Sequence, residues 1–134
     1  MEPTVQDWER LAKAARTVSA HAYCRYSNFP VGAALLVPDG RIFSGCNVEN
    51  VSYGLTICAE RNAVFHAVAE GMSALTAMVV FTSTDKPSTP CGACRQVLYE
   101  FGANAIVRCI CNGPEVLEMP LLHLLPSAFG PENL

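Results

Sequence analysis

Two short cysteine motifs, Cys58-Ala59-Glu60 and Pro90-Cys91-Gly92-Ala93-Cys94, constrain this chain more than any other feature. If their three thiols hold one metal ion, two segments far apart in sequence must fold to a single point. Structural zinc is almost always closed by four protein ligands, whereas catalytic zinc takes three and keeps a position for water or substrate. Three cysteines with a carboxylate beside them therefore point to hydrolysis assisted by one Zn2+ ion.

The spacing carries this further. Cys91 and Cys94 stand three residues apart, so a helix beginning near Pro90 puts them on one face. Proline suits a first helical turn because its missing N–H would be unpaired there, and a helix N-terminus favours the thiolate that a metal needs. Cys58 opens a second helix that runs on to a stop at Gly71. Residues two apart on a regular helix diverge, so Glu60 can join Cys58 at the metal only if Cys58 lies in an irregular first turn. Three thiolates on Zn2+ leave a net negative charge, which opposes proton loss from water. Arg61, three residues after Cys58, is placed to offset it by hydrogen bonding to the sulfurs, unless it is an ordinary surface arginine.

Cys-Ala-Glu followed by Pro-Cys-Gly-Ala-Cys-Arg-Gln resembles the zinc nucleoside deaminases, whose signature is His or Cys, one residue, Glu, then Pro-Cys-x-x-Cys. The flanks are similar to the small homotetrameric cytidine deaminases in particular. They are Phe29-Pro30-Val31-Gly32-Ala33-Ala34, Gly45-Cys46-Asn47-Val48-Glu49-Asn50, Cys58-Ala59-Glu60-Arg61 and Leu124-Leu125-Pro126-Ser127-Ala128-Phe129-Gly130. The resemblance implies hydrolytic deamination of cytidine and deoxycytidine to uridine and deoxyuridine, with one zinc per subunit on Cys58, Cys91 and Cys94. It makes Glu60 the catalytic proton shuttle, first to ring N3 and then to the departing amine. One departure from the family stands in Cys24-Arg25-Tyr26-Ser27, where arginine replaces the usual proline.

Composition is consistent with one domain spanning residues 1–134. The chain has 134 residues, of which 51% are hydrophobic, enough for a substantial core. Its net charge of −3, with basic residues scattered, lacks the electrostatic footprint of a nucleic-acid binder. The charged N-terminal stretch is no signal peptide and no run matches a membrane span, so a cytoplasmic protein is expected. Of seven cysteines, Cys109 and Cys111 read as buried apolar residues of a strand. Cys46 or Cys24 as a fourth ligand would instead make the site structural, a zinc-stabilised binding module.

Apolar periodicity gives a helix from Trp8 to about His21. A β-hairpin follows, Val31 to Val37 and Arg41 to Cys46, around Pro38-Asp39-Gly40. After the Cys58 helix come a strand from Ala77 to Phe81, a polar loop from Thr82 to Thr89, and a helix from Cys91 to Phe101. Strands from Ala105 to Cys111 and Val116 to Met119 and a short helix from Leu121 to Leu125 end the chain. The fold class is therefore α/β, a three-layer α/β/α sandwich around a mixed five-stranded sheet.

Asn47 and Glu49, two apart just after a strand, can present an amide and a carboxylate on one side, or can be a solvated loop. The resemblance implies that they bind the ribose hydroxyls. It likewise implies that Phe29, otherwise a plain core residue, packs on the pyrimidine, and that the Ala59 backbone orients the base edge. The positive mean hydropathy of +0.25 and the apolar stretch Leu121-Leu122-His123-Leu124-Leu125-Pro126 make self-association plausible. The resemblance adds a homotetramer in which Tyr53 and Phe129 reach into active sites of neighbouring subunits. A blasticidin-type drug deaminase would share the zinc motifs, but a carboxylate at Glu49 suits a ribose diol better.

Overall fold

The computed structural model describes residues 2–134. Its first helix, α1 (Val5–Ser19), starts ahead of the expected Trp8. Thr4 is its N-cap, accepting the Asp7 N–H, while the Asp7 carboxylate accepts the Thr4 N–H, a reciprocal capping box.

Strand β1 (Val31–Leu36) and strand β2 (Ile42–Cys46) form the expected hairpin, with Gly40 at φ +94 in its turn. A short 3-10 turn (Tyr53–Leu55), which the sequence pattern did not announce, leads into α2 (Ala59–Ala69). Then follow β3 (Ala77–Thr82), α3 (Gly92–Gly102), β4 (Ile106–Ile110), β5 (Leu117–Pro120) and α4 (Leu121–Leu124). A 3-10 turn (Pro131–Asn133), also unforeseen, ends the chain.

The sheet order is β2-β1-β3-β4-β5. Only β3 and β4 run parallel, joined through α3; every other neighbouring pair is antiparallel. Mixed pairing is what an initial hairpin followed by a strand-helix-strand crossover produces.

Both faces of the sheet are covered, which explains why β1 and β3, the terminal Thr82 apart, carry no alternating polar residues. Ala34, Leu36, Val79 and Phe81 pack on Leu11 and Ala15 of α1. The opposite side chains, Ala33, Leu35, Met78 and Val80, pack on Ala63, Val64 and Ala67 of α2 and Leu98 of α3. Three layers result, as expected.

Two glycines set how closely the helices approach. A Cβ on Gly32 would lie 1.9 Å from the Ala15 carbonyl oxygen of α1. One on Gly45 would lie 2.3 Å from the Ala63 backbone nitrogen of α2. The second contact matters most for the site, because it lays the start of α2 against the end of β2. Asn62 Nδ2 fixes the same junction by donating to the Cys46 carbonyl at 2.8 Å.

Candidate active site

The N-cap residues of two helices carry two of the three thiols. Cys58 caps α2 and Cys91 caps α3, both with extended backbones (φ −70, ψ 156 and φ −66, ψ 167). Cys91, expected as the first residue of its helix, is thus the N-cap, with Gly92 opening the helix and Pro90 just ahead of the cap. The N-cap side chain normally turns back over the third helical residue. At α3 this brings Cys91 Sγ to 3.5 Å from Cys94 Sγ, and at α2 it brings Cys58 Sγ to 3.4 Å from Arg61 Nη2.

The two caps meet, with Cys58 and Cys91 sulfurs 3.8 Å apart, and all three thiols lie within 4.8 Å of one another. Tetrahedral zinc with sulfur ligands at ~2.3 Å separates them by about 3.8 Å, so the set fits one zinc ion. Among the described residues, this group has three members; neither Cys46 nor Cys24 joins it. The arrangement is that of an open site, not a closed structural one.

Cys58 and Cys91 line a cleft of about 350 Å³, and Cys94 is buried behind them. The extended cap also resolves the question of Glu60. Because Cys58 is not yet helical, Glu60 two residues later lines the same cleft. The cleft further collects Phe29, Asn47, Glu49 and Ala59, and it opens beside Val80 and Thr82 at the C-terminal end of β3. Crevices outside the carboxyl ends of parallel strands are where α/β sheets bind ligands.

The family model for the cytidine and deoxycytidylate deaminase zinc-binding region matches residues 5–110. The chain belongs to this family. A cytidine deaminase of Sporosarcina psychrophila is 44% identical over 129 residues, 96% of this chain and 95% of the relative. The 1.6 Å crystal structure of cytidine deaminase from Burkholderia pseudomallei superposes with a TM-score of 0.87 at 46% identity, covering 90% of this chain and 98% of that one. The cytidine deaminase structure from Mycobacterium tuberculosis gives 0.80 at 45% identity, over 92% and 98%.

In this member of the deaminase family, Glu60 is 6% exposed, and burial pushes its carboxyl up to about 7. The Cys58 thiol is held well below its usual range by hydrogen bonding with Cys94, and then with Arg61 and Cys91. The N-termini of α2 and α3, each with partial positive charge, face the same thiols. Arg61 Nε is buried without a hydrogen-bond partner among the described residues, while its Nη2 donates to Cys58 Sγ.

The polar pair of the deaminase cleft is already engaged. Asn47 Oδ1 accepts the Val31 N–H and its Nδ2 donates to the Phe29 carbonyl, both at 2.9 Å. Glu49 Oε1 accepts the N–H groups of Tyr26 and Ser27 at 2.9 and 3.1 Å, and Oε2 accepts the Ser27 hydroxyl. These bonds hold the Glu49 carboxyl below its usual range, the Ser27 hydroxyl foremost. A carboxylate offers about four acceptor sites, so Glu49 has about one left, on Oε2, for a ligand.

Tyr53 and Phe129 do not line the zinc-side cleft. Tyr53 is 75% exposed beside the Tyr26 ring, at 5.9 Å between centroids, and Phe129 is 62% exposed. Gln96 Nε2 donates to the Phe129 carbonyl at 2.8 Å.

Sequence reasoning missed Ser27, Thr56, Ser88 and Thr89 as lining residues, and Arg95 behind them. Arg95 donates from Nε to Pro90 O at 2.7 Å, from Nη1 to Leu124 O at 2.8 Å and from Nη2 to Thr89 Oγ1 at 2.9 Å. It ties the cysteine loop to α4. Its position directly after Cys94 was the available signal.

Proposed function

We propose that this chain is a cytidine deaminase that hydrolyses cytidine and deoxycytidine to uridine and deoxyuridine, releasing ammonia. One observation carries the reading. A buried carboxyl, Glu60, opens into a nucleoside-sized cleft together with two of three thiols whose spacing fits one zinc.

Zinc bound by Cys58, Cys91 and Cys94 would supply Lewis acidity at an open position and make a water acidic enough to attack near neutral pH. Glu60 receives the proton of that water. It passes that proton to N3 of the pyrimidine, which makes C4 electrophilic to the hydroxide. It then takes the remaining proton of the oxygen added at C4 and delivers it to the exocyclic amine, so that the C4–N bond breaks, ammonia departs and the C4 oxygen becomes the uracil carbonyl. A carboxyl raised towards neutrality suits both steps, since it gains and loses a proton at little cost. Arg61 offsets the charge of the three thiolates through its contact with Cys58. Phe29 walls the base, the Ala59 backbone meets its edge, and Asn47 and Glu49 use their remaining valences on ribose.

An ultraviolet assay against cytidine, deoxycytidine, cytosine, adenosine and blasticidin S tests the reading. Loss of the cytosine chromophore from the two cytosine nucleosides is expected. Turnover of blasticidin S with neither nucleoside attacked would assign a drug deaminase instead.

We further propose that the chain is one domain, acts in the cytoplasm in pyrimidine salvage, and assembles as a homotetramer with shared sites. Among the described residues, no helix is long and apolar enough to cross a membrane. Val51, Tyr53 and Leu55, in and just ahead of the first 3-10 turn, are exposed, and Phe129 is exposed as well, as self-association would require.

In a shared-site tetramer, Glu60→Ala lacks the proton shuttle in every subunit and Phe129→Ala lacks the closing aromatic at every site. Mixed oligomers of the two contain some pockets with both groups intact. Co-expression should recover activity above the sum of the separate variants; mixed oligomers without recovered activity would mean that each site is built from one chain.

A further inference from the structure

The Phe29 peptide is pinned from both sides. Its carbonyl accepts from Asn47 Nδ2 at 2.9 Å, and its N–H donates to Ser27 Oγ at 3.1 Å. The same Ser27 hydroxyl donates its proton to Glu49 Oε2. One oxygen thus links the aromatic wall of the cleft to the carboxylate at its other end, and Ser27 itself lines the cleft. Asn28, at φ +55 in the left-handed region that asparagine tolerates, makes the turn that lets residues 27 and 29 converge.

A serine whose hydroxyl only closed this turn would accept from residue 29 and leave its own proton to solvent. Here the proton goes to a charged acceptor, and the Tyr26 and Ser27 N–H groups reinforce the same carboxylate. The loop and Glu49 therefore hold each other in a single arrangement. Rotating Glu49 away would release Ser27 and, through it, the Phe29 N–H.

We infer that Ser27 is a positioning residue that couples recognition of the sugar at Glu49 to placement of Phe29 against the base. The inference rests on the nucleoside reading above. Ser27 fixes the carboxylate so that its one free acceptor site on Oε2 meets a sugar hydroxyl, and it reports that contact to the aromatic wall. Its removal weakens ground-state and transition-state binding together, which raises KM and leaves kcat nearly unchanged.

Steady-state kinetics of wild type, Ser27→Ala and Ser27→Thr on cytidine and on 2′,3′-dideoxycytidine, which lacks both ring hydroxyls, provide the test. Losing one hydrogen bond to a charged group is expected to raise the cytidine KM of Ser27→Ala ~10-fold. The preference for cytidine over the dideoxy analogue should shrink by a similar factor. Ser27→Thr, which keeps the hydroxyl at an exposed position, should restore both. Hydrogen exchange gives a readout without turnover: the Phe29 and Tyr26 amides should exchange faster in Ser27→Ala than in Ser27→Thr. An active wild type with unchanged KM, preference and exchange in Ser27→Ala overturns the coupling alone. A threonine variant as impaired as alanine overturns it too. A zinc-loaded wild type inactive on cytidine overturns the nucleoside reading and this inference with it.

Discussion

Glu60→Gln is expected to lower turnover of cytidine by a factor on the order of 10² to 10⁴ while zinc stays bound. Glutamine keeps the volume and planarity of the side chain, so α2 and the Cys58 cap need not move. It has no proton to gain or lose, so every step that passes through the carboxyl is lost together. Glu60 contributes no thiol to the metal group, and zinc content should match wild type. Metal analysis beside an absorbance assay checks both halves. Substantial turnover by the zinc-loaded variant would end the proton-shuttle role.

Gly45→Ala is expected to cost about 3 kcal/mol of stability and to loosen the metal site with it. The added methyl would lie 2.3 Å from the Ala63 nitrogen, 2.7 Å from the Asn62 carbonyl carbon and 2.9 Å from the Ala59 carbonyl oxygen. All three are backbone atoms of α2, so no side chain can swing away. The helix itself must lift from β2, moving the cap that carries Cys58 and the turn that carries Glu60. Gly54→Ala is the control, since its methyl meets nothing within 4 Å and should change stability by less than about 0.5 kcal/mol. Denaturant unfolding with zinc retention against a chelator measures both. Equal midpoints for the two variants would show that α2 yields easily.

The layers were legible because their signals are local. The apolar run Ala77 to Phe81 announced a strand, which the fold extends by Thr82, and the turn around Gly40 announced the hairpin. The start of α1 was misplaced because the apolar period begins at Trp8, while the Thr4–Asp7 box that fixes the boundary is entirely polar. The three cysteines were legible from spacing. Glu60 was not, because ideal helical geometry separates positions 58 and 60, and only an extended N-cap backbone brings them together. The employment of Asn47 and Glu49 was hidden for another reason. Their partners lie 16 to 23 residues away, and a two-residue alternation says which side a group faces but not what already occupies it.

The convergence of two helix caps also bears on how the chain holds together. Cys58 and Cys91 are 33 residues apart, with α2 and β3 between them, and all seven cysteines are free. An ion gripping both ends closes that stretch into a ring, as a disulfide would. A permanent link of such length restricts the unfolded chain by roughly 4 kcal/mol in the loop-entropy account. A metal supplies this restraint reversibly, through deprotonated ligands that the folded chain has gathered in advance. The reagent of catalysis is then also a clasp on the backbone, and the enzyme that loses its ion loses a cross-link as well as a Lewis acid.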